Sequence, residues 1–356
     1  MSDLQTLRLD GFTTERGDRL PEVAVAFRTW GALNEAADNA VVVCHALTGD
    51  ADADVWWPGL VGERHLVDPA RHFVVCANAL GSCYGTTGPA TADASGRRLG
   101  SRFPRISIRD QARLHARLLN HLGVRGVALA AGGSMGGMQA LELALVDREA
   151  GPDRVRRLVL VGMGAEHGAW QIGISEAQRM TIRADPRWRG GDFEAGGPPE
   201  AGLAAARAVA MTTYRSAALF RERFGRTRHE PRLEPTDPKY AVESYLRYQG
   251  AKLAGRFDAG SYVRLTEAMD DHDVGRGRGR EDAASALSRL RADALCVGIS
   301  SDLLYPPEES RALADLMPCG RYAELDSPFG HDAFLVDFEG LDALVRPFLA
   351  QTGFFA

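Results

Sequence analysis
The segment Gly132-Gly133-Ser134-Met135-Gly136-Gly137 constrains this chain more than any other. Val124 to Ala131, just before it, is short, apolar and partly β-branched, as a buried strand would be. Met138 to Leu145, just after it, consists of strong helix formers. The G-x-S-x-G pattern thus falls where a strand must turn sharply into a helix. So tight a turn has no room for Cβ atoms beside Ser134, which accounts for the flanking glycines. The Ser134 hydroxyl is then presented at the end of a sheet. The first N–H groups of the helix point at any anion that forms there. A Gly-rich turn with a plain surface serine is the alternative; the strand before and the helix after favour a nucleophile.

The rest of the chain supplies a sheet for that turn. Residues 8–30 alternate polar and apolar and read as antiparallel strands turning near Gly17-Asp18. Ala40–Cys44, Phe73–Ala77, Arg157–Gly162 and Leu295–Ser301 are continuous apolar runs of the kind buried in a parallel sheet, and Arg321–Leu325 reads as the last strand. Ile108–Leu122 and Glu309–Met317 read as helices. Asn78 to Pro89 is an ordered loop by its glycines and proline; its hydroxyls either line a pocket or satisfy turns. From Gly168 the texture changes. Residues 168–184, 200–224 and 239–270 read as helical, with Trp188–Phe193, Gly196–Pro199 and 226–238 as loops. The expected architecture is an α/β core of residues 1–167 and 286–356, with a helical lid, residues 168–285, inserted between strands.

Composition excludes several classes. The 42 basic and 47 acidic residues leave a formal charge of −5, so no basic field marks a nucleic-acid partner. The run Gly275-Arg276-Gly277-Arg278-Gly279-Arg280 is one short piece of a folded acidic chain, not a disordered RNA-binding array. Five cysteines (Cys44, Cys76, Cys83, Cys296, Cys319) show neither C-x-x-C nor zinc spacing, and buried free thiols in a reducing cytoplasm are expected. No apolar run is long enough to span a bilayer.

The chemistry-bearing residues follow in a telling order. Asp302 stands after a late strand and His331 in a loop after the last one. Ser134, then Asp302, then His331 is the order of α/β-hydrolases, in which the serine attacks, the histidine is its base and the acid orients the imidazole. A serine hydroxyl needs such a base at neutral pH. His45, in the loop after an early strand, comes too soon for that base and reads as a structural histidine. The same loop is where this fold finds one oxyanion donor; the backbone N–H groups of Leu47 and Met135 are the candidates. His272 precedes Asp302 and is therefore set aside.

Over nearly its whole length the chain resembles the homoserine O-acetyltransferases of the α/β-hydrolase fold, with their serine and homoserine O-succinyltransferase relatives. The likeness rests on Cys44-His45-Ala46-Leu47-Thr48-Gly49, Gly85 to Pro89, Gly132 to Ala140, Thr213-Tyr214-Arg215-Ser216, His272 to Gly277, Ser300 to Leu304 and Asp326 to Phe334. It implies that Ser134 takes an acyl group from acetyl-CoA, or succinyl-CoA, and passes it to the hydroxyl of L-homoserine, with no metal and no bound cofactor. It also implies Arg207 for the substrate carboxylate, Asp332 as the substrate-binding acid beside the base, and a homodimer through the lid. An amino acid does need a guanidinium for its carboxylate and an acid for its ammonium. Arg207 and Tyr214, seven apart, share a helix face. The family pattern F-D-A-N-S-Y stands here as Phe257-Asp258-Ala259-Gly260-Ser261-Tyr262, and Ala169 to Arg179 also departs from it. A triad alone serves a carboxylesterase equally well; a long lid suits transfer, because it excludes water and positions an acceptor.

Overall fold
Apolar runs without alternation need cover on both faces, and the chain provides it. In the computed structural model, which describes residues 3–151, 153–229, 237–278 and 282–355, eight strands form one sheet. They are β1 (Gln5–Thr13), β2 (Arg19–Trp30), β3 (Ala40–Cys44), β4 (Phe73–Ala77), β5 (Val127–Gly133), β6 (Arg157–Val161), β7 (Asp293–Ile299) and β8 (Gly320–Leu325), in spatial order β1-β2-β4-β3-β5-β6-β7-β8. The alternating N-terminal pair is antiparallel, and β2 joins it antiparallel to β4. All pairings from β4 to β8 are parallel. The C-terminal ends of β3, β5, β7 and β8 therefore open on one edge of the sheet, where α/β folds place their sites.

Successive residues of β3 serve opposite layers, as the pleat requires. Val42 and Cys44 join the core under α2 (Ile108–His121) and α3 (Met135–Ala150). Val41 and Val43 join the core closed by Trp57 and by Leu341, Val345 and Leu349 of the last helix. Trp57 directly follows the one-turn α1 (Ala53–Trp56), and its indole donates to the Phe334 carbonyl (2.7 Å). Ser107 and Asp110 start α2 with a reciprocal capping box.

Between β6 and β7 the described chain contains α4 (Ala169–Ala184), α5 (Glu200–Tyr214), α6 (Ala217–Phe224), α7 (Ala241–Ala254), α8 (Ala259–Asp270) and the short α9 (Ala283–Leu287). After β7 come α10 (Pro307–Asp315) and α11 (Phe338–Gln351). Helix α5 packs between α4 and α7. Two expectations need correction. The single helical stretch over 200–224 is two helices, broken at the extended Arg215, with Ser216 capping the second by accepting from Leu219 N–H (3.0 Å). The loop at 188–199 contains two 3₁₀ turns, Arg189–Gly191 and Glu194–Gly196. The loop expected over 226–238 lies partly outside the described residues.

Arg278 of the Gly275–Arg280 run faces inward, while Arg276 is half-exposed. Arg278 is buried against Glu142 (2.6 Å) and also meets Glu149 (2.5 Å); Arg276 meets Glu15 (3.0 Å). Gly279 and Arg280 lie outside the described residues. Cys44, Cys76 and Cys296 are buried free thiols, as expected. Thr86 and Thr87 accept from the Ala26 and Ala24 amides of β2, so these two hydroxyls tie the 78–89 loop to the sheet instead of satisfying a turn. No helix among the described residues is long and apolar enough to cross a membrane.

Candidate active site
Ser134 follows the last residue of β5 and precedes the first of α3. Its backbone (φ 55°, ψ −128°) lies where L-residues are strained, as a nucleophile elbow demands. The elbow is pressed onto β3. A Cβ on Gly136 would stand 2.1 Å from the Cys44 carbonyl oxygen and 3.1 Å from the His45 carbonyl carbon. Only glycine lets α3 approach so closely, and the approach brings the Ser134 turn beside the His45–Leu47 loop. The N–H of Met135 opens α3, where an amide has no carbonyl of its own helix to bond. Leu47 is buried in the adjoining loop.

His45 is a fixed structural residue. Its Nδ1 bonds the Ala46 carbonyl (2.8 Å) and its Nε2 accepts from the Ala79 amide (3.0 Å). Burial pushes its pKa down, so the ring is neutral, as that bonding pattern requires.

Asp302 and His331 meet across the ends of β7 and β8. Nδ1 of His331 donates to Asp302 Oδ2 (2.7 Å), while Oδ1 of Asp302 accepts from the amides of Leu304 (2.8 Å) and Tyr305 (2.9 Å). Both carboxylate oxygens are thereby engaged, which restrains the orientation of the acid. Burial alone would lower the pKa of His331. The Asp302 charge and hydrogen bond, with the Asp332 charge, outweigh it and raise the value above the ordinary 6.5. With the proton on Nδ1, Nε2 carries the lone pair. Nε2 is buried and bonded to no described residue. The bond from Ser134 to Nε2 is not made in this conformation; such bonds tighten when substrate arrives. The ring is held between Tyr214 (5.7 Å between centroids), Tyr305 (5.4 Å) and Phe334 (5.6 Å).

Arg207 and Tyr214 both lie on α5, and the guanidinium of Arg207 sits 5.2 Å from the Tyr214 ring centre. Burial pushes the Tyr214 hydroxyl up, and the Arg207 charge opposes it. Asp332 is buried in the 3₁₀ turn Gly330–Leu335. It is not the cap of the last helix; Asp337 is, accepting from Gly340 N–H. Burial raises the Asp332 carboxyl, opposed first by Arg215 and then by Arg207 and His331. Arg215 Nε stands 3.0 Å from Asp332 Oδ2, close enough for an ion pair although not aligned as a hydrogen bond.

Three neighbours of the site carry no role in a reading of the sequence. Arg215 falls where the helical composition of residues 200–224 masks the break; the helix-capping potential of Ser216 is the available signal. Tyr305 and His167 form the other omission: His167 Nδ1 and the Tyr305 hydroxyl are 2.6 Å apart behind the ring of His331. Their separation of 138 residues left no local signal.

A strained serine between a parallel strand and a helix, with a histidine–aspartate pair from two later strand ends, defines an α/β-hydrolase-type protein. Comparison with known proteins agrees. The family model for the alpha/beta hydrolase fold matches residues 39–338. A homoserine O-acetyltransferase of Trichormus variabilis is 48% identical over 338 residues, 95% of this chain and 91% of that protein. One from Salinibacter ruber is 48% identical over 98% of this chain and 97% of its own. Among solved structures, homoserine O-acetyltransferase from Bacillus anthracis superposes with a TM-score of 0.88 at 24% identity, covering 98% of each chain. Esterase E22 gives 0.87 at 22% identity, over 98% of this chain and all of its own. The chain belongs to the homoserine O-acetyltransferase family of the α/β-hydrolase fold.

Proposed function
We propose that the protein transfers an acetyl group from acetyl-CoA to the hydroxyl of L-homoserine, an early step of methionine synthesis, through an acetyl-Ser134 intermediate. One observation carries this reading: 48% identity over nearly the full length of proteins bearing that name. The fold does not choose, since an esterase superposes as well as a transferase does. Hydrolysis, and O-succinyl transfer to homoserine or serine, are the competing outcomes.

In the proposed cycle Ser134 Oγ attacks the thioester carbonyl while His331 Nε2 takes its proton. Asp302 stabilises the imidazolium that forms and keeps its tautomer. The N–H groups of Leu47 and Met135 take the oxyanion. Collapse breaks the carbon–sulfur bond, and His331 returns the proton to the departing thiolate of CoA. The homoserine hydroxyl then attacks the acetyl-serine and gives its proton to Nε2. Collapse frees Ser134, which recovers that proton. Arg207 holds the acceptor's carboxylate and Asp332 its ammonium; Tyr214 lines the same face. Nothing in this cycle calls for a metal or a resident cofactor. The reading includes a cytoplasmic homodimer joined through the lid.

The test is thiol release from acetyl-CoA and from succinyl-CoA, each with homoserine or serine, beside a Ser134→Ala control. Turnover with acetyl-CoA and homoserine alone supports the proposal. A preference for succinyl-CoA or serine keeps the chemistry and changes the substrate. Thiol release that ignores the amino acid makes water the acceptor and sinks the transferase reading. Light scattering giving the mass of one chain would remove the dimer.

A further inference from the structure
The break between α5 and α6 places one residue where an unbroken helix could not. Arg215 is extended (φ −116°, ψ 147°), and the segment Tyr214–Ser216 lies directly on Gly330. A Cβ at Gly330 (φ +68°) would stand 2.7 Å from Ser216 N and 2.8 Å from Tyr214 O, so only glycine permits this contact. Ser216 clamps the other side. Its hydroxyl donates to the Pro328 carbonyl (2.5 Å) while capping α6. Ser301 Oγ in turn accepts from Gly330 N–H (2.9 Å) and donates to the Ser327 carbonyl (2.5 Å), tying the same loop to the end of β7. These contacts deliver the guanidinium of Arg215 to Oδ2 of buried Asp332. Among the described residues, no hydrogen bond reaches Oδ1.

We propose that Arg215 is a positioning residue for the acceptor: by pairing with Oδ2 it keeps Asp332 a fixed anion and leaves Oδ1 to take the acceptor's α-ammonium. The inference rests on the amino-acid acceptor proposed above. Arg215 thereby makes the enzyme demand an amine on its alcohol substrate, without itself touching the substrate. The charges facing Asp332 are Arg215 and Arg207 from the lid and His331 and Asp302 from the core, with the Tyr214 ring beside them. Of the cations, Arg215 opposes the burial of Asp332 most strongly. Without it a buried carboxyl drifts toward its neutral acid, which attracts no ammonium.

The experiment compares three acceptors: homoserine, 4-hydroxybutanoate (no ammonium) and 3-aminopropan-1-ol (no carboxylate). The wild-type kcat/KM ratio of homoserine to 4-hydroxybutanoate reports the ammonium contact, and that of homoserine to 3-aminopropan-1-ol the carboxylate contact. Arg215→Gln is expected to cut the ammonium ratio about tenfold or more, through KM, and to leave the carboxylate ratio in place. Arg215→Lys, which keeps the charge and loses the fork, should recover most of it. The first-turnover burst of thiol from acetyl-CoA checks that each variant still acylates Ser134; if Arg215→Gln gives no burst, Arg215→Lys is read in its place against Asp332→Asn. An unchanged ammonium ratio overturns the proposal. So does a collapse of the carboxylate ratio, which would make Arg215 a direct substrate ligand. If the wild-type enzyme turns over with acetyl-CoA yet shows no ammonium ratio, the inference alone fails. If it acetylates no amino-acid alcohol, the proposed function fails with it.

Discussion

Ser134 combines chemistry with backbone strain, and the two are separable. Its positive φ costs about 1–3 kcal/mol, a cost the surrounding packing covers. Ser134→Ala and Ser134→Gly should both abolish thiol release, but only glycine relieves the strain. Ser134→Gly should therefore melt about 1–3 °C above Ser134→Ala in a thermal scan. The pH dependence belongs to His331. Its raised pKa means the neutral base is lost as pH falls through a value above 6.5, so activity should show an acid limb there. The linked stability has the opposite sense: the His331⁺–Asp302⁻ pair contributes fully below 6.5 and is lost as pH rises through the folded value. Asp302→Asn removes the largest raising influence and leaves burial to dominate. The acid limb should move to lower pH and the remaining rate should drop by about 10⁴, because the tautomer is no longer held. The strand-to-helix turn at Ser134 was legible from local sequence. Tyr305 and His167 were not, because their contact behind His331 joins the loop after β7 to the loop after β6, 138 residues away.

At the scale of elements, the informative case is the Gly275–Arg280 run. By composition it resembles an exposed basic tract, yet the side chain of Arg278 is buried against α3, reaching Glu142 and Glu149. A pair this buried is costly to break from one side. Arg278→Ala should destabilise the protein by about 3–5 kcal/mol, since it strands Glu142 against only the longer contact to Arg109 (3.3 Å). Urea unfolding measures this, and a loss under 1 kcal/mol would mean the cluster is solvated. The break at Arg215 teaches the same lesson. Residues 200–224 have helical composition throughout, and helix propensity differences of tenths of a kcal/mol per residue are too small to locate the stop. Packing of the 214–216 segment on Gly330 locates it.

For the whole molecule, buried histidines set the response to acid. His115 and His272 are pushed down to about 4 and His167 to about 3, by burial first; a neighbouring histidine adds to the shift at His115 and His167, while Glu142 and Asp273 oppose it at His272. Each is neutral in the fold and becomes charged on unfolding below 6.5. Stability should therefore fall as pH drops from 6.5 toward 4, by about 1.4 kcal/mol per histidine per pH unit at most. Urea midpoints at pH 7 and pH 5 test this, with His272→Gln expected to flatten the dependence. A midpoint independent of pH would mean these rings find partners on protonation. The sequence by itself determined the parallel sheet, the elbow and the order of serine, acid and base. Those signals are local: apolar runs, glycines at a turn and strand ends. Tertiary structure alone decided that Arg215 pairs with Asp332, that Tyr305 backs the imidazole with His167 bonded behind it, and that Arg278 of a basic run faces inward. Each of these joins residues more than a hundred positions apart in sequence, and burial, not residue type, gives them their partners.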